Sequence, residues 1–393
     1  MSDSSVVIVG AKRTPIGAFQ GALSSLVAPR LGATAVAAAV GQSGIAGADI
    51  DEAVIGCCLF AGLKQAPARQ AVLGAGLPNS IPCTTLSKMC GSGMKAVMQV
   101  HDAIVAGNCT VGIAGGMESM SNAPYLLGRA RDGYRLGHGQ LLDHMFCDGL
   151  EDAYDGQLMG YYADLVAAAR GIGRERQDAF AAESVRRAQA AVSSGAFRDE
   201  IAPVEIDGRK GKITMSEDET PGRCDLAKIP LLKAAFRKEG TITAANASSI
   251  SDGAAALVLL REGEARRRKV MPLARIVASA SHAADPQQFA TAPVPAIRKA
   301  LAKAGWSVAD VDLFEINEAF AVVTLAAIDD LGIAAEKVNV NGGACALGHP
   351  IGASGARVLV TLINALSKRN LKRGVAALCI GGGEASAMAI ELI

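Results

Sequence analysis

The sequence predicts an α/β protein made of two copies of one unit, with a long insertion in the first copy. Three observations carry this. Short apolar runs alternate with Ala-rich stretches of helical period. Glycines, 44 in 393 residues, cluster where strands would turn into helices. Ordered internal matches also recur: Gly44-Ile45-Ala46-Gly47-Ala48-Asp49-Ile50-Asp51 matches Gly305-Trp306-Ser307-Val308-Ala309-Asp310-Val311-Asp312 at an offset of 261, and Gly91 falls on Gly352 at the same offset.

The elements follow in order. Val6-Val7-Ile8-Val9 is a buried strand ending at Gly10. Gly10 to Gly17 does not fit G-x-G-x-x-G, so a dinucleotide site is not expected there. Residues 31–41 are helical, and Ile50 to Cys58 is a strand that buries Cys57 and Cys58. Gln65 to Leu77 is a helix stopped by Pro78, and Thr110 to Ala114 is a strand ended by Gly115-Gly116. The second copy repeats the plan, with Ile380-Gly381-Gly382-Gly383-Glu384 echoing Ala114-Gly115-Gly116-Met117-Glu118. Ser251 to Leu260 and Glu384 to Ile393 are matching terminal strands.

The expected division is therefore 1–119 with 250–270 for the first unit, 120–249 for the insertion and 271–393 for the second unit. The insertion is more polar. It holds His138 and His144 in a Gly-rich loop, a charged helix from Gly173 to Gly195, and a turn-rich stretch from Gly208 to Thr220. Neither His lies in a metal-binding motif, so loop polarity explains both and no metal is expected. The run Arg266-Arg267-Arg268-Lys269 reads as a solvated helix end.

Composition excludes several classes. Net charge is +1 and aromatics make up 4%, which gives neither a basic field nor a stacking surface for nucleic acid. No apolar run reaches the length of a membrane span. Nine scattered cysteines without a signal-peptide pattern predict free thiols and a cytoplasmic protein.

Four stretches could carry chemistry. Cys90 lies in Met89-Cys90-Gly91-Ser92-Gly93, just before a predicted helix, where free N–H groups favour a thiolate and can lower its pKa. Asn317 ends an expected strand, where it could also cap the next helix. His349 sits between Gly348 and Pro350, and Cys379 precedes Gly381-Gly382-Gly383. Each residue alone has a structural explanation: core thiol, turn imidazole or helix cap. Together, two thiols, an imidazole and a carboxamide lie at strand–turn boundaries of equivalent units, where ligands gather in open α/β sheets. A Cys nucleophile, a His base and backbone N–H groups suit acyl transfer through a thioester.

At Cys90-Gly91-Ser92-Gly93-Met94-Lys95-Ala96, Asn317-Glu318-Ala319-Phe320, Gly348-His349-Pro350 and Cys379-Ile380-Gly381-Gly382-Gly383 the chain resembles the thiolase family. Gly115-Gly116-Met117-Glu118-Ser119-Met120-Ser121 and Asn246-Ala247-Ser248 extend the resemblance over essentially the whole sequence, closest to the short-chain type. It implies a thiolase fold: duplicated βαβαβαββ halves in five layers, α-β-α-β-α, with an inserted loop domain for coenzyme A binding and oligomerisation. It implies reversible condensation of two acetyl-CoA to acetoacetyl-CoA through an acetyl-Cys90 intermediate, with no cofactor beyond the coenzyme A substrates. His349 would activate Cys90, Cys379 would move the α-proton, and Asn317 would hold a water on the enolate. The N–H groups of Cys90 and Gly381 would hold the oxyanion.

Leu150, Phe236, Ala244 and Ser248 resemble coenzyme A contacts of the family, and Met159 resembles an acyl-pocket residue. By charge, Lys233, Arg237 and Lys238 could meet phosphates or be solvated surface. The family implies a homo-oligomer, dimer or tetramer, with a protruding segment near 125–145. Leu158, Phe289 and Pro221-Gly222-Arg223-Cys224 depart from the short-chain pattern. The rival readings are a degradative 3-ketoacyl-CoA thiolase, a ketoacyl-carrier-protein synthase and a non-catalytic coenzyme A or lipid scaffold.

Overall fold

The first apolar run forms β1 (Val6–Arg13). Val6 and Ile8 enter one core while Val7 and Val9 enter another, which is why the run is apolar throughout rather than alternating. This computed structural model describes residues 4–208 and 211–393. Met1–Asp3 and Arg209–Lys210 lie outside the described residues.

The first unit continues with β2 (Gly17–Ala18), α1 (Ala28–Ser43), β3 (Glu52–Gly56), α2 (Pro67–Gly74), β4 (Cys83–Leu86), α3 (Ser92–Ala106) and β5 (Val111–Ser119). The insertion carries β6 (Tyr125–Leu127), β7 (Leu141–Asp143), α4 (Met159–Ala169), α5 (Arg174–Ser193), β8 (Val204–Gly208) and β9 (Gly211–Met215). The chain then returns through β10 (Ser251–Arg261) and α6 (Glu262–Arg268). The second unit holds β11 (Ala274–Ala283), α7 (Pro293–Ala304), β12 (Leu313–Ile316), α8 (Ala321–Leu331), α9 (Ala344–Leu347), α10 (Ile351–Lys368), β13 (Arg373–Ile380) and β14 (Glu384–Leu392).

The strands run in the order β12-β13-β14-β11-β1-β10-β5-β3-β4. Read outward from the β1–β11 contact, the two sides match. β10 and β14 pair antiparallel with their neighbours, and β5–β3 and β13–β12 are parallel. A parallel bridge from Phe314 to Val338 stands where β4 stands in the first unit. The duplication seen in the sequence is thus a duplication of topology.

Five layers result. Helices α1 and α2 cover the outer face of the first sheet half. α7 and α8 cover the outer face of the second. α3 and α10 lie between the halves, in one core with residues of β1, β10, β13 and β14. α10 is buried at 15 of its 18 positions, so even its polar stripe of Ser354, Arg357 and Thr361 lies inside the protein.

Several sequence expectations are corrected. Gly115-Gly116 do not end their strand, because β5 runs on to Ser119. They serve close approach instead: a Cβ on Gly116 would lie 2.1 Å from the carbonyl oxygen of Gly352 in α10. β3 stops at Gly56, so Cys57 and Cys58 follow the strand, although both remain buried. α2 is shorter than expected, starting at Pro67, which is pre-set for a first helical turn. The turn-rich stretch after Gly208 yields β9, paired with β8 as a hairpin. The run at Arg266 does end a helix, with Arg268 paired to Glu264 and Asp49.

The insertion leaves the first unit and packs on both. Val204 and Ile206 of β8 join the α1 core, and Arg13 of β1 pairs with Glu200 and Asp218, while its helices reach the second unit. Tyr162, Ala163 and Ala167 of α4 join Val322 and Val323 of α8 in one cluster. Val185 and Ala188 of α5 meet Ala346 and Leu347 of α9. No helix among the described residues is long and apolar enough to cross a membrane.

Candidate active site

The site is built where the central helices begin. Cys90 lies two residues ahead of α3, whose N-cap is Gly91. The turn before it is tied by Ser92, whose hydroxyl donates to the Met89 carbonyl (2.7 Å) and accepts from the Lys88 N–H (2.8 Å). Met89 is held at φ +45°, left-handed backbone that costs a non-glycine residue about 1–2 kcal/mol. The second unit closes on this turn. Ile380 packs against Gly91 so tightly that a Cβ there would lie 2.4 Å from Ile380 Cδ1. Lys88 forms an ion pair with Glu384 across the seam. The N–H groups of Gly381 and of Cys90 itself consequently face the Cys90 sulfur.

The expected lowering of the Cys90 pKa is corrected. The thiol is half-buried. Burial pushes it up to about 11, and the two N–H groups only partly oppose the rise. Cys90 stands outside the first turn of α3, where a helix terminus acts most strongly.

His349 precedes α10 as Cys90 precedes α3. Its N–H donates to the Ser249 carbonyl (3.0 Å), and Nδ1 lies 2.6 Å from the Ser354 hydroxyl. That hydroxyl donates to the Pro350 carbonyl (3.0 Å). It therefore accepts from Nδ1–H, which leaves Nε2 with a free lone pair. Burial and the charge of Arg357 push the imidazole down to about 3, so His349 is neutral at neutral pH.

Asn317 directly follows β12 and is fully buried. Its Nδ2 lies 3.5 Å from both ring nitrogens of His349, and its Oδ1 accepts from Arg357 Nη2 (3.3 Å). It does not cap α8, because that helix is entered through Phe320. Cys379 sits one residue before the end of β13, 1% exposed. Burial first, and then the neighbouring Cys90 sulfur, push its pKa well up. Cys90, His349, Asn317, Cys379 and Gly381 are thus gathered at one seam between the units.

The other sequence candidates surround this seam at different distances. Leu150 packs in a small cluster with Cys58, Ile351 and Cys90. Met159 and Phe236 pack in the cluster that holds Cys379, Phe289 and Phe320. The Ser248 hydroxyl donates to the Ala319 carbonyl (3.0 Å) in the Asn317 loop. Ala244 is exposed nearby, and Leu158 is half-buried at the start of α4. Lys233 and Lys238 are exposed, while the Arg237 guanidinium lies over the Tyr161 ring. His138 is exposed, and His144 is tied to Asp148 (2.6 Å). No cluster of metal-binding side chains occurs among the described residues.

Sequence reasoning passed over four supports. Ser354 orients His349, and Arg357 reaches Asn317. Glu118 accepts from the N–H groups of Cys58 (2.9 Å), Leu59 (3.1 Å) and Gly352 (2.9 Å), tying the start of α10 to the first unit. The Lys88–Glu384 pair is the fourth. Arg357 did leave a signal, since it is the one charge in an apolar stretch of α10 from Ile351 to Ala365.

A duplicated five-layer α/β fold with a thiol, an imidazole and a second thiol at its seam defines a thioester acyl-transfer protein. The chain belongs to the thiolase family: residues 6–263 match "Thiolase, N-terminal domain" and residues 270–392 match "Thiolase, C-terminal domain". It is 50% identical to acetyl-CoA acetyltransferase of Chromobacterium violaceum over 98% of this chain and 99% of that one. It is 52% identical to acetyl-CoA acetyltransferase 2 of Arabidopsis thaliana over 99% of this chain and 97% of the relative. Its fold superposes on the crystal structure of the Bacillus anthracis acetyl-CoA acetyltransferase with a TM-score of 0.97, at 42% identity, covering 99% of both chains.

Proposed function

We propose that this chain is an acetyl-CoA C-acetyltransferase. It condenses two acetyl-CoA into acetoacetyl-CoA and free coenzyme A, or runs the reverse thiolysis. The observation that carries this reading is the meeting of two thiols, a neutral imidazole and inward-facing backbone N–H groups at one seam.

In the first step the Cys90 sulfur attacks the thioester carbonyl while His349 Nε2 takes its proton. With the thiol near 11 and the imidazole near 3, a resting ion pair is disfavoured, so the proton leaves as the sulfur attacks. The N–H groups of Cys90 and Gly381 hold the oxyanion. The departing coenzyme A sulfur takes the proton of Cys379. This leaves acetyl-Cys90, an imidazolium and a Cys379 thiolate. In the second step Cys379 removes the α-proton of a second acetyl-CoA. His349, and a water held by Asn317, stabilise the enolate oxygen. The carbanion attacks acetyl-Cys90, and the expelled Cys90 sulfur recovers its proton from His349. Ping-pong kinetics follow.

Leu150, Met159, Phe236, Ala244 and Ser248 would contact coenzyme A or the acyl group. Phe236 and Phe289 both stand edge-on to Phe320, with ring centroids 6.0 and 6.1 Å apart, and this aromatic wall beside Cys379 favours short acyl chains. The domain division is 1–119 with 250–270, 120–249, and 271–393. The protein is read as a cytoplasmic homo-oligomer, dimer or tetramer. Its nine free cysteines suit a reducing compartment. The exposed Tyr125, Leu127 and Leu141 of the β6–β7 hairpin suit burial against another copy. The test is kcat/KM for thiolysis of acetoacetyl-CoA against longer 3-ketoacyl-CoA substrates. A sharp preference for acetoacetyl-CoA is expected. Equal activity on longer chains would move the assignment to a degradative thiolase.

A further inference from the structure

A buried cation stands behind the site. Arg357 is 2% exposed, in the second turn of α10. One nitrogen, Nη2, donates to Asn317 Oδ1 at 3.3 Å. Another, Nη1, faces Glu315 Oε2 at 3.5 Å, with Glu315 also 2% exposed. Nε and Nη1 have no hydrogen-bond partner among the described residues. A buried guanidinium so incompletely paired costs stability, and hydrophobic residues of similar volume are often as good or better.

Its contact with Asn317 supplies a reason for it. A carboxamide can turn by half a rotation and exchange its donor and acceptor ends. Arg357 can only donate, so it accepts one orientation: Oδ1 toward α10 and Nδ2 toward His349. A flipped amide would set Nδ2 against the guanidinium, donor against donor. We infer that Arg357 is a positioning residue for the carbon–carbon step, holding the Asn317 amide with its donor end toward the enolate site. The inference rests on the acyltransferase reading above. The Arg357 charge also adds to burial in pushing the His349 imidazole down, so Arg357 bears on both groups assigned to the enolate.

The test compares two half-reactions in the purified full-length protein: single-turnover release of coenzyme A as Cys90 is acetylated, and exchange of the acetyl-CoA α-protons with deuterated water. Arg357→Lys keeps the charge but loses the fork that reaches Asn317. It should slow α-proton exchange by roughly tenfold to a hundredfold, with Cys90 acetylation changed by less than about threefold. Added to Asn317→Ala, it should cause no further loss. Where Arg357→Lys folds poorly, as thermal melting would reveal, the pair Glu315→Gln with Arg357→Met removes both buried charges and should give the same split. Equal loss in both half-reactions, or losses that add to those of Asn317→Ala, would overturn the inference. Wild-type exchange rates in a folded variant would do so too. Wild-type protein that forms no acetyl-Cys90 would instead sink the acyltransferase reading, and this inference with it.

Discussion

Cys90 and His349 occupy equivalent corners of the two units, each just ahead of a central helix, yet their surroundings differ. α3 is buried at 8 of 15 positions and α10 at 15 of 18. The Cys90 turn is half-open and strained at Met89. His349, Asn317 and Cys379 are buried. On the proposed mechanism the first unit offers the group that meets a large incoming substrate, and the second the groups that move protons, which gain from a dry setting in which pKa values are displaced. The insertion touches both units, and its α4 supplies part of the wall around Cys379. Duplication supplied one corner twice, and burial then separated the two uses.

The comparison can be broken at its open end first. Cys90→Ala should reduce turnover by about 10⁴-fold or more, and no acetylated enzyme should appear by mass spectrometry. An acetyl group found on another cysteine would assign the nucleophile elsewhere. The contact between the two corners gives a smaller effect. A Cβ on Gly355 would lie 2.4 Å from the Met94 amide nitrogen, so α3 and α10 cross with no room for a side chain. Gly355→Val should destabilise the fold by about 1–3 kcal/mol and lower activity in what remains folded. Thermal melting beside steady-state rates would check this, and an unchanged melting temperature would mean the helices can part freely.

The smallest expected effect concerns pH. With its pKa raised to about 11, Cys90 is protonated at neutral pH, and its thiolate fraction grows as pH rises toward that value. Alkylation of Cys90 by iodoacetamide should therefore climb about tenfold per pH unit from pH 7 to 9, without a plateau. A plateau near neutral pH would reveal a resting thiolate–imidazolium pair and contradict the burial argument. His349, with its pKa pushed down to about 3, should add no step in that range.

Much of this was legible in the sequence for identifiable reasons. The apolar start of β1, Val6-Val7-Ile8-Val9, read clearly because both its faces are buried, although the strand runs on through Gly10 to Arg13, and the repeated turns at Gly44 and Gly305 exposed the duplication. Cys90, His349 and Cys379 could be picked out because reactive residue types stood in glycine-rich turns, and Asn317 because a polar group followed an expected strand. What the sequence hid was contact across distance. The Ser354–His349 bond joins neighbours five apart, but its sense depends on the Pro350 carbonyl that the hydroxyl finds. Arg357 meets Asn317 forty residues away. Gly116 read as part of a strand end because the Gly352 carbonyl that presses on it belongs to the other unit. The direction of the Cys90 shift was misread for the same reason. A helix terminus is local and visible, whereas burial comes from the whole seam.

The central claim is that Cys90 carries the acyl group while Cys379 handles the carbon acid. It is tested most directly by Cys379→Ser, assayed for acetylation of Cys90 and for acetoacetyl-CoA formation. Acetylation should persist within about tenfold of wild type, while condensation falls by roughly 10²–10⁴-fold. Equal loss of both would contradict the division of labour between the two units.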